Sequence, residues 1–196
     1  MKSLDKSKIR VLVLDVDGTL TDGKIYMGET GELMKAFDIK DGCGLHDILP
    51  TINQITVKME GNIDGVKEEI CTIGIIPVII TGRESRILEN RCNELGITHI
   101  YQGVKNKIEK LDELLNTLSN KMSIDGQLVK LDYSNVAYCG DDINDLSCME
   151  PIYALGGIVT CPADAAKEVC EIASFISSKN GGNGAVREVI EWLGEL

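Results

Sequence analysis

No apolar run in the sequence approaches the roughly 20 residues that a membrane-spanning helix needs. The N-terminal MKSLDKSKIR is charged where a secretory signal would carry an apolar core, so neither a membrane anchor nor a signal peptide is expected. Positive charge is in short supply. Twenty lysines and arginines stand against 31 aspartates and glutamates, a net charge of −11. A surface that acidic repels nucleic acid and anionic lipid, which argues against both as partners. It leaves room for a small anionic substrate, because a site can carry its own cations. Only two histidines occur, His46 and His99, far apart in sequence, and the seven cysteines form no CxxC, so a Cys/His zinc site has no basis. An odd cysteine number without paired spacing reads as a reduced, cytoplasmic protein rather than a disulfide framework. Heptads, repeats and low-complexity tracts are missing as well.

What is present fits one globular α/β domain. At 196 residues, 43% hydrophobic and 26% charged, the chain is long enough for one well-filled core and short for two. Short β-branched runs alternate with helical patterns, which predicts βαβ units and a parallel sheet with helices on both faces. Strands are expected at 11–15, 76–82, 98–103 and 135–140, with a late edge strand at 173–178. Helices are expected at 84–95, 107–118 and 184–196, each with apolar residues in a 3.6-residue stripe. Residues 24–39 carry two extended runs around Gly-Glu-Thr-Gly and predict a β-hairpin, and 41–49 look helical. Residues 50–73 have a broken pattern: a β-like QITVKM, a Gly-Asn turn, then a charged helix. Together with the polar, irregular 119–132, they are expected to be peripheral excursions from the sheet.

The stretch VLVLDVDGTLTDG (11–23) runs four apolar residues into Asp15, with Asp17 just beyond. The other strands also end in polar groups. Thr81, Gly82 and Arg83 follow the second, Lys107 lies shortly after the third, and GDDINDL supplies Asp141, Asp142 and Asp145 after the fourth. In a parallel sheet all carboxyl ends share one edge, which is where open α/β folds bind ligands. Asp15, Asp17 and Asp141 offer hard oxygen ligands suited to Mg2+. Crowded carboxylates repel one another unless a cation neutralises them. Thr81 adds a hydroxyl, Lys107 a fixed positive charge, and Gly18, Gly82 and Gly140 allow close backbone approach. This inventory suits phosphoryl transfer: Asp15 as nucleophile, Asp17 as acid to the leaving oxygen and then base to water. Taken singly, each group has an ordinary reading as a cap, a turn or a solvated charge. The coincidence of all four at successive strand ends favours the site.

In order, DVDGTLTDG, ITGR, Lys107 in QGVKNK and GDDINDL resemble the four motifs of haloacid dehalogenase (HAD) superfamily phosphatases. The segments DGKIYMGETGELMKAFDIKDGCGL, ITGRESRILENRCNELGITHIYQGVKNK and GGNGAVREV are similar to the 3-deoxy-D-manno-octulosonate 8-phosphate (KDO 8-phosphate) phosphatase subfamily, whose relatives act on nonulosonate 9-phosphates. The resemblance implies a Rossmann-like HAD fold without a large cap domain, with a β-hairpin flap at about 24–39, assembled as a homotetramer whose subunits help cover one another's sites. It implies Mg2+ held by the carboxylates of Asp15 and Asp141 and the backbone carbonyl of Asp17. Substrate contacts, a phosphorylated sugar acid being the substrate, fall on Asp17, Asp38, Ile39, Lys40, Asp41, Gly42, Gly82, Arg83, Arg91 and Lys107. His46 stands where the subfamily carries an arginine and is expected in the substrate pocket, and Asn183 replaces another arginine. Asp142 and Asp145 are expected to orient Lys107 or metal-bound water.

Two other classes of function use similar groups. A phospho-accepting receiver domain also has an acidic cluster, a Thr and a Lys on a doubly wound sheet, but its acceptor Asp precedes the Thr and Lys. Here the GDD motif follows them. A non-catalytic regulatory subunit is the third reading, and the presence of every motif residue counts against it.

Overall fold

A computed structural model describes residues 4–59, 69–124 and 126–195. Its strands are β1 (Val11–Leu14), β2 (Tyr26–Gly28), β3 (Gly31–Met34), β4 (Ile55–Met59), β5 (Glu69–Ile73), β6 (Ile76–Ile80), β7 (His99–Tyr101), β8 (Met122–Ile124), β9 (Gln127–Leu128), β10 (Val136–Cys139), β11 (Ile158–Cys161) and β12 (Phe175–Ile176). Its α-helices are α1 (Ile39–Cys43), α2 (Arg86–Glu94), α3 (Lys107–Lys121), α4 (Leu146–Ala154), α5 (Lys167–Ile172) and α6 (Ala185–Gly194).

Six strands form the main sheet in the order β12-β11-β10-β1-β6-β7, all parallel. Every residue of β1 and β10 is buried, because both faces of the sheet are covered. The side chains of β1 divide by parity. Leu12 and Leu14 join α2 and α6 in one core through Leu88, Val189 and Ile190, while Val11 and Val13 join α3 and α4 in the other through Leu111, Leu114 and Met149. From β1 the chain steps outward to β6 and β7, then crosses back to β10, β11 and β12. The carboxyl end of β1 is therefore the switch point, where doubly wound sheets open a crevice.

The flap is a hairpin of β2 and β3 turning through Glu29 and Thr30, with Gly31 at φ 120°, a backbone conformation that favours glycine. It is shorter than the expected 24–39, since Asp38 already caps α1. The excursions differ more. Residues 69–73 are strand, not helix, paired antiparallel with β4. The expected Gly-Asn turn at 61–62 and the start of the charged helix lie outside the described residues. Residues 122–124 and 127–128, expected as irregular, are strands as well. They join the first excursion in a second sheet, β5-β4-β8-β9, with Lys58 opposite Ser123. The helix α4 follows the GDD loop with Asp145 at its start, whereas β11 and α5 fall where no element is expected, and β11 moves the anticipated edge strand one place outward.

Candidate active site

The site is built at the end of β1. Asp15 extends the strand by donating its N–H to the carbonyl of Cys139 at 3.0 Å, so its side chain is carried to the crevice while 5% exposed. Beyond it the chain turns sharply at Gly18, φ 101°. A Cβ there would lie 2.0 Å from Oδ2 of Asp141, so glycine is what lets the loop after β1 and the loop after β10 meet. Thr19, buried beneath, donates its hydroxyl to Asp141 Oδ1 at 3.0 Å. A second glycine contact backs the same loop: a Cβ on Gly181 would fall 1.8 Å from the carbonyl oxygen of Gly18.

Lys107, first residue of α3, is 5% exposed and donates to Oδ1 of Asp15 and to Oδ1 of Asp145, each at 2.7 Å. Asp145 is fully buried and already saturated. Its Oδ1 also accepts from the Tyr138 hydroxyl at 2.8 Å, and its Oδ2 accepts from the backbone N–H groups of Asp141 and Asp142. Carboxylate oxygens of Asp15, Asp141 and Asp145 lie within 4.8 Å of one another. With Asp145 committed to four donors, Asp15 and Asp141 are the two carboxylates left for a cation, and a hard divalent ion fits that donor set. The electrostatics agree. Burial, reinforced by the charge of Asp145, pushes Asp15 up to about 6 despite Lys107. Burial and then the charge of Asp15 push Asp141 up to about 7. Burial works to lower Lys107, but Asp15 and Asp145 outweigh it and hold the ammonium protonated.

Asp17 is served by the flap. Lys35, just after β3, donates to Asp17 Oδ1, and its side chain is 4% exposed. Glu32 of β3 stands 3.2 Å from Lys35 Nζ and 3.6 Å from Arg83 Nη2, and accepts from the hydroxyl of Ser85, the cap of α2. Arg83 Nε lies 3.9 Å from Asp17 Oδ2. Thr81 is buried at the end of β6, where its carbonyl accepts from Val104 N–H, and Gly82 follows it.

The structure thus brings together Asp15, Asp17, Thr81, Gly82, Arg83, Lys107, Asp141 and Asp145 at one sheet edge. Other expected residues lie elsewhere. Asp38, Asp41, Gly42 and Arg91 line a small crevice between α1 and α2 with Phe37 and Leu88. None of the clustered carboxylates lines it. Arg91 pairs with Glu94 at 2.8 Å, and a Cβ on Gly42 would strike its guanidinium. Asp38 caps α1 by accepting from Lys40 N–H, and Ile39 and Lys40 are exposed. Asp41 is 1% exposed and accepts from Arg187 N–H at 2.7 Å, so it caps α6; burial pushes its carboxyl up to about 6. His46 is exposed and paired with Asp47 at 2.6 Å, on a π-helical turn after α1 that faces it outward. Asp142 is exposed and caps the Ile143–Asp145 turn, accepting from Ile143 N–H, and makes no contact with Lys107. Thr19, Lys35 and Tyr138 were not anticipated. The Thr of DGT is the signal for the first; β10 is buried on both faces and shows no alternation, so only the packing reveals Tyr138, and only the hairpin's docking reveals Lys35.

No family model matches the chain. Individual proteins do. The KDO 8-phosphate phosphatase KdsC of Escherichia coli K12 is 38% identical over 185 residues, covering 94% of this chain and 79% of the relative. That of Yersinia pestis is 37% identical over 187 residues, 95% and 80% of the two chains. The crystal structure of the Moraxella catarrhalis KDO 8-phosphate phosphatase, in complex with a magnesium ion, a phosphate ion and a KDO molecule, superposes with a TM-score of 0.73 at 32% identity, covering 96% of this chain and 87% of that one. On the motifs, the sheet order and these similarities, the chain belongs to the KDO 8-phosphate phosphatase family of the HAD superfamily.

Proposed function

We propose that this protein is a Mg2+-dependent phosphatase that hydrolyses KDO 8-phosphate through a phosphoaspartyl intermediate. The observation that carries this reading is the buried Asp15–Lys107 pair at the switch point with the carboxylate of Asp141 beside it. Asp15, Asp141 and the backbone carbonyl of Asp17 are the groups assigned to the ion. When bound, Mg2+ neutralises the crowded carboxylates and draws charge from the phosphoryl oxygens.

The residues divide the reaction between them. A carboxylate oxygen of Asp15 attacks phosphorus as the bond to the sugar oxygen breaks, and that oxygen takes a proton from Asp17. Asp17 then accepts a proton from water as the water attacks the phosphoaspartate, which frees inorganic phosphate and restores Asp15. Lys107, the Thr81 hydroxyl and the backbone at Gly82 hold the phosphoryl oxygens in line. Asp145 keeps Lys107 aimed, since it shares the ammonium with Asp15. Arg83, beside Asp17, is offered to the sugar acid, whose carboxylate a guanidinium can grip by two hydrogen bonds. Asp38, Ile39, Lys40, His46 and Arg91, which line no part of the carboxylate cluster, are assigned to contacts made between subunits, while the buried Asp41 and Gly42 support them from behind.

The assembly proposed is a homotetramer. The flap and the segment after it expose Ile25, Met27, Leu33 and Ile39, each more than half accessible, which is apolar area that a neighbouring subunit would cover. Among the described residues no helix is long and apolar enough to cross a membrane, and all seven cysteines are free. Free thiols support the cytoplasm as the site of action.

The test is a phosphate-release panel of KDO 8-phosphate, N-acetylneuraminate 9-phosphate, its deaminated analogue and simple hexose phosphates. KDO 8-phosphate is expected to give the highest kcat/KM. A preference for a nonulosonate 9-phosphate would move the substrate within the sugar acids, and a preference for hexose phosphates would refute the class.

A further inference from the structure

We infer that Lys35, on the flap, is a positioning residue for Asp17: it holds the side chain by Oδ1, so that a proton carried on Oδ2 meets the leaving oxygen. The inference rests on the phosphatase reading above. An aspartate side chain has two soft torsions, and a carboxylate that must meet one particular oxygen needs something to hold it in one rotamer. The hydrogen bond to Asp17 comes from Lys35. Arg83 Nε, at 3.9 Å, is beyond hydrogen-bond range and supplies charge without direction.

Lys35 is itself held. Its side chain is 4% exposed and its ammonium is shared between Asp17 and Glu32, so little of it is left to meet a substrate. Glu32 is in turn tied to Ser85, whose hydroxyl also accepts from Leu88 N–H in capping α2. A chain of charged hydrogen bonds thus runs from the rigid start of α2, through the flap strand β3, to the acid–base group. Charge-assisted bonds of this kind are short and directional. The flap therefore acts on the chemistry itself, in addition to covering the site.

The test compares an alkyl and an aryl leaving group. Turnover of KDO 8-phosphate needs a proton delivered to a basic sugar oxygen, whereas p-nitrophenyl phosphate loses a leaving group that departs unprotonated. Lys35→Met should lower kcat on KDO 8-phosphate by about 10²-fold, within the range of general acid catalysis, and change KM little. The same variant should lose less than about 5-fold in the first step on p-nitrophenyl phosphate, read as the burst of nitrophenolate released before Asp17 acts as base on the phosphoaspartate. Lys35→Arg should restore most of the loss, and Lys35→Met should add little in an Asp17→Asn background. An equal loss in the nitrophenolate burst, or a loss confined to KM, would overturn the inference and make Lys35 a flap strut or a substrate contact. Should the wild-type protein ignore KDO 8-phosphate, the substrate reading fails, and the same ratio measured with any alkyl phosphate it does hydrolyse still decides the role of Lys35.

Discussion

Lys107 donates to Oδ1 of Asp15 at 2.7 Å across 92 residues of sequence, joining the first strand of the sheet to the helix that follows β7. The ammonium is buried between that carboxylate and the one on Asp145. Removing it leaves two buried anions facing each other. Lys107→Met is therefore expected to cost about 3–5 kcal/mol at pH 8, read by chemical denaturation, with loss of turnover. Without Lys107 the carboxyl of Asp15 rises further above its unfolded value, and a raised acid costs the fold most at high pH. The penalty should shrink as pH falls toward 5 and Asp15 takes a proton. A penalty independent of pH would contradict the pairing.

Magnesium should act through the same charges. In the metal-free protein Asp15 is raised to about 6 and Asp141 to about 7, first by burial and then by neighbouring carboxylates. The folded state then holds protons that the unfolded chain has released, so these groups weaken the metal-free fold as pH rises from about 4 to about 7. The ion competes with those protons. The rise in Tm on adding MgCl2 should accordingly be larger at pH 8 than at pH 5.5, and Asp141→Asn should flatten the difference. An equal rise at both pH values would place the ion elsewhere.

Gly181→Ala should be among the most damaging small substitutions in the chain. The added Cβ would meet the Gly18 carbonyl at 1.8 Å, and both partners are backbone, so no side chain can swing aside. The expected result is a loss of about 2–4 kcal/mol, or turnover reduced at least as far as stability allows. Gly126→Ala isolates the opposite cost, since Gly126 has a positive φ, which Gly181 does not, and no atom of the described residues within 4 Å of its Cβ position. It should cost only about 1 kcal/mol.

Asp41→Ala should destabilise the protein by about 1–3 kcal/mol, because the carboxylate caps α6 from a buried position. Hydrogen exchange should show faster opening at Gly184–Arg187, the start of that helix. Unchanged protection there would show that the cap contributes nothing.

Much of this was legible from short motifs. β1 and its two aspartates, the Thr-Gly end of β6, Lys107 at the head of α3 and the GDD loop after β10 are local patterns, and parallel strand order alone gathers them. The second sheet was not legible. Its strands are short, and the pairing of Lys58 with Ser123 joins segments far apart in sequence, so no local period announces it. The Lys- and Glu-rich run before Cys71 looks helical, yet pairing with β4 overrides propensity at 69–73. β11 is buried on both faces and shows no alternation, and α4 carries Pro151 inside it. His46 sits beside site residues in sequence, but the turn of the helix, not spacing, decides which way it faces. Lys35 reaches Asp17 only because the hairpin folds back over the crevice.

The central claim is that Asp15 attacks phosphorus, and the most direct measurement is Mg2+-dependent phosphate release from KDO 8-phosphate by the wild-type protein and by Asp15→Asn. The account predicts turnover by the wild type and a loss of about 10⁴-fold or more in the variant, with the fold intact by circular dichroism. An Asp15→Asn protein that retains a tenth of the activity would contradict it.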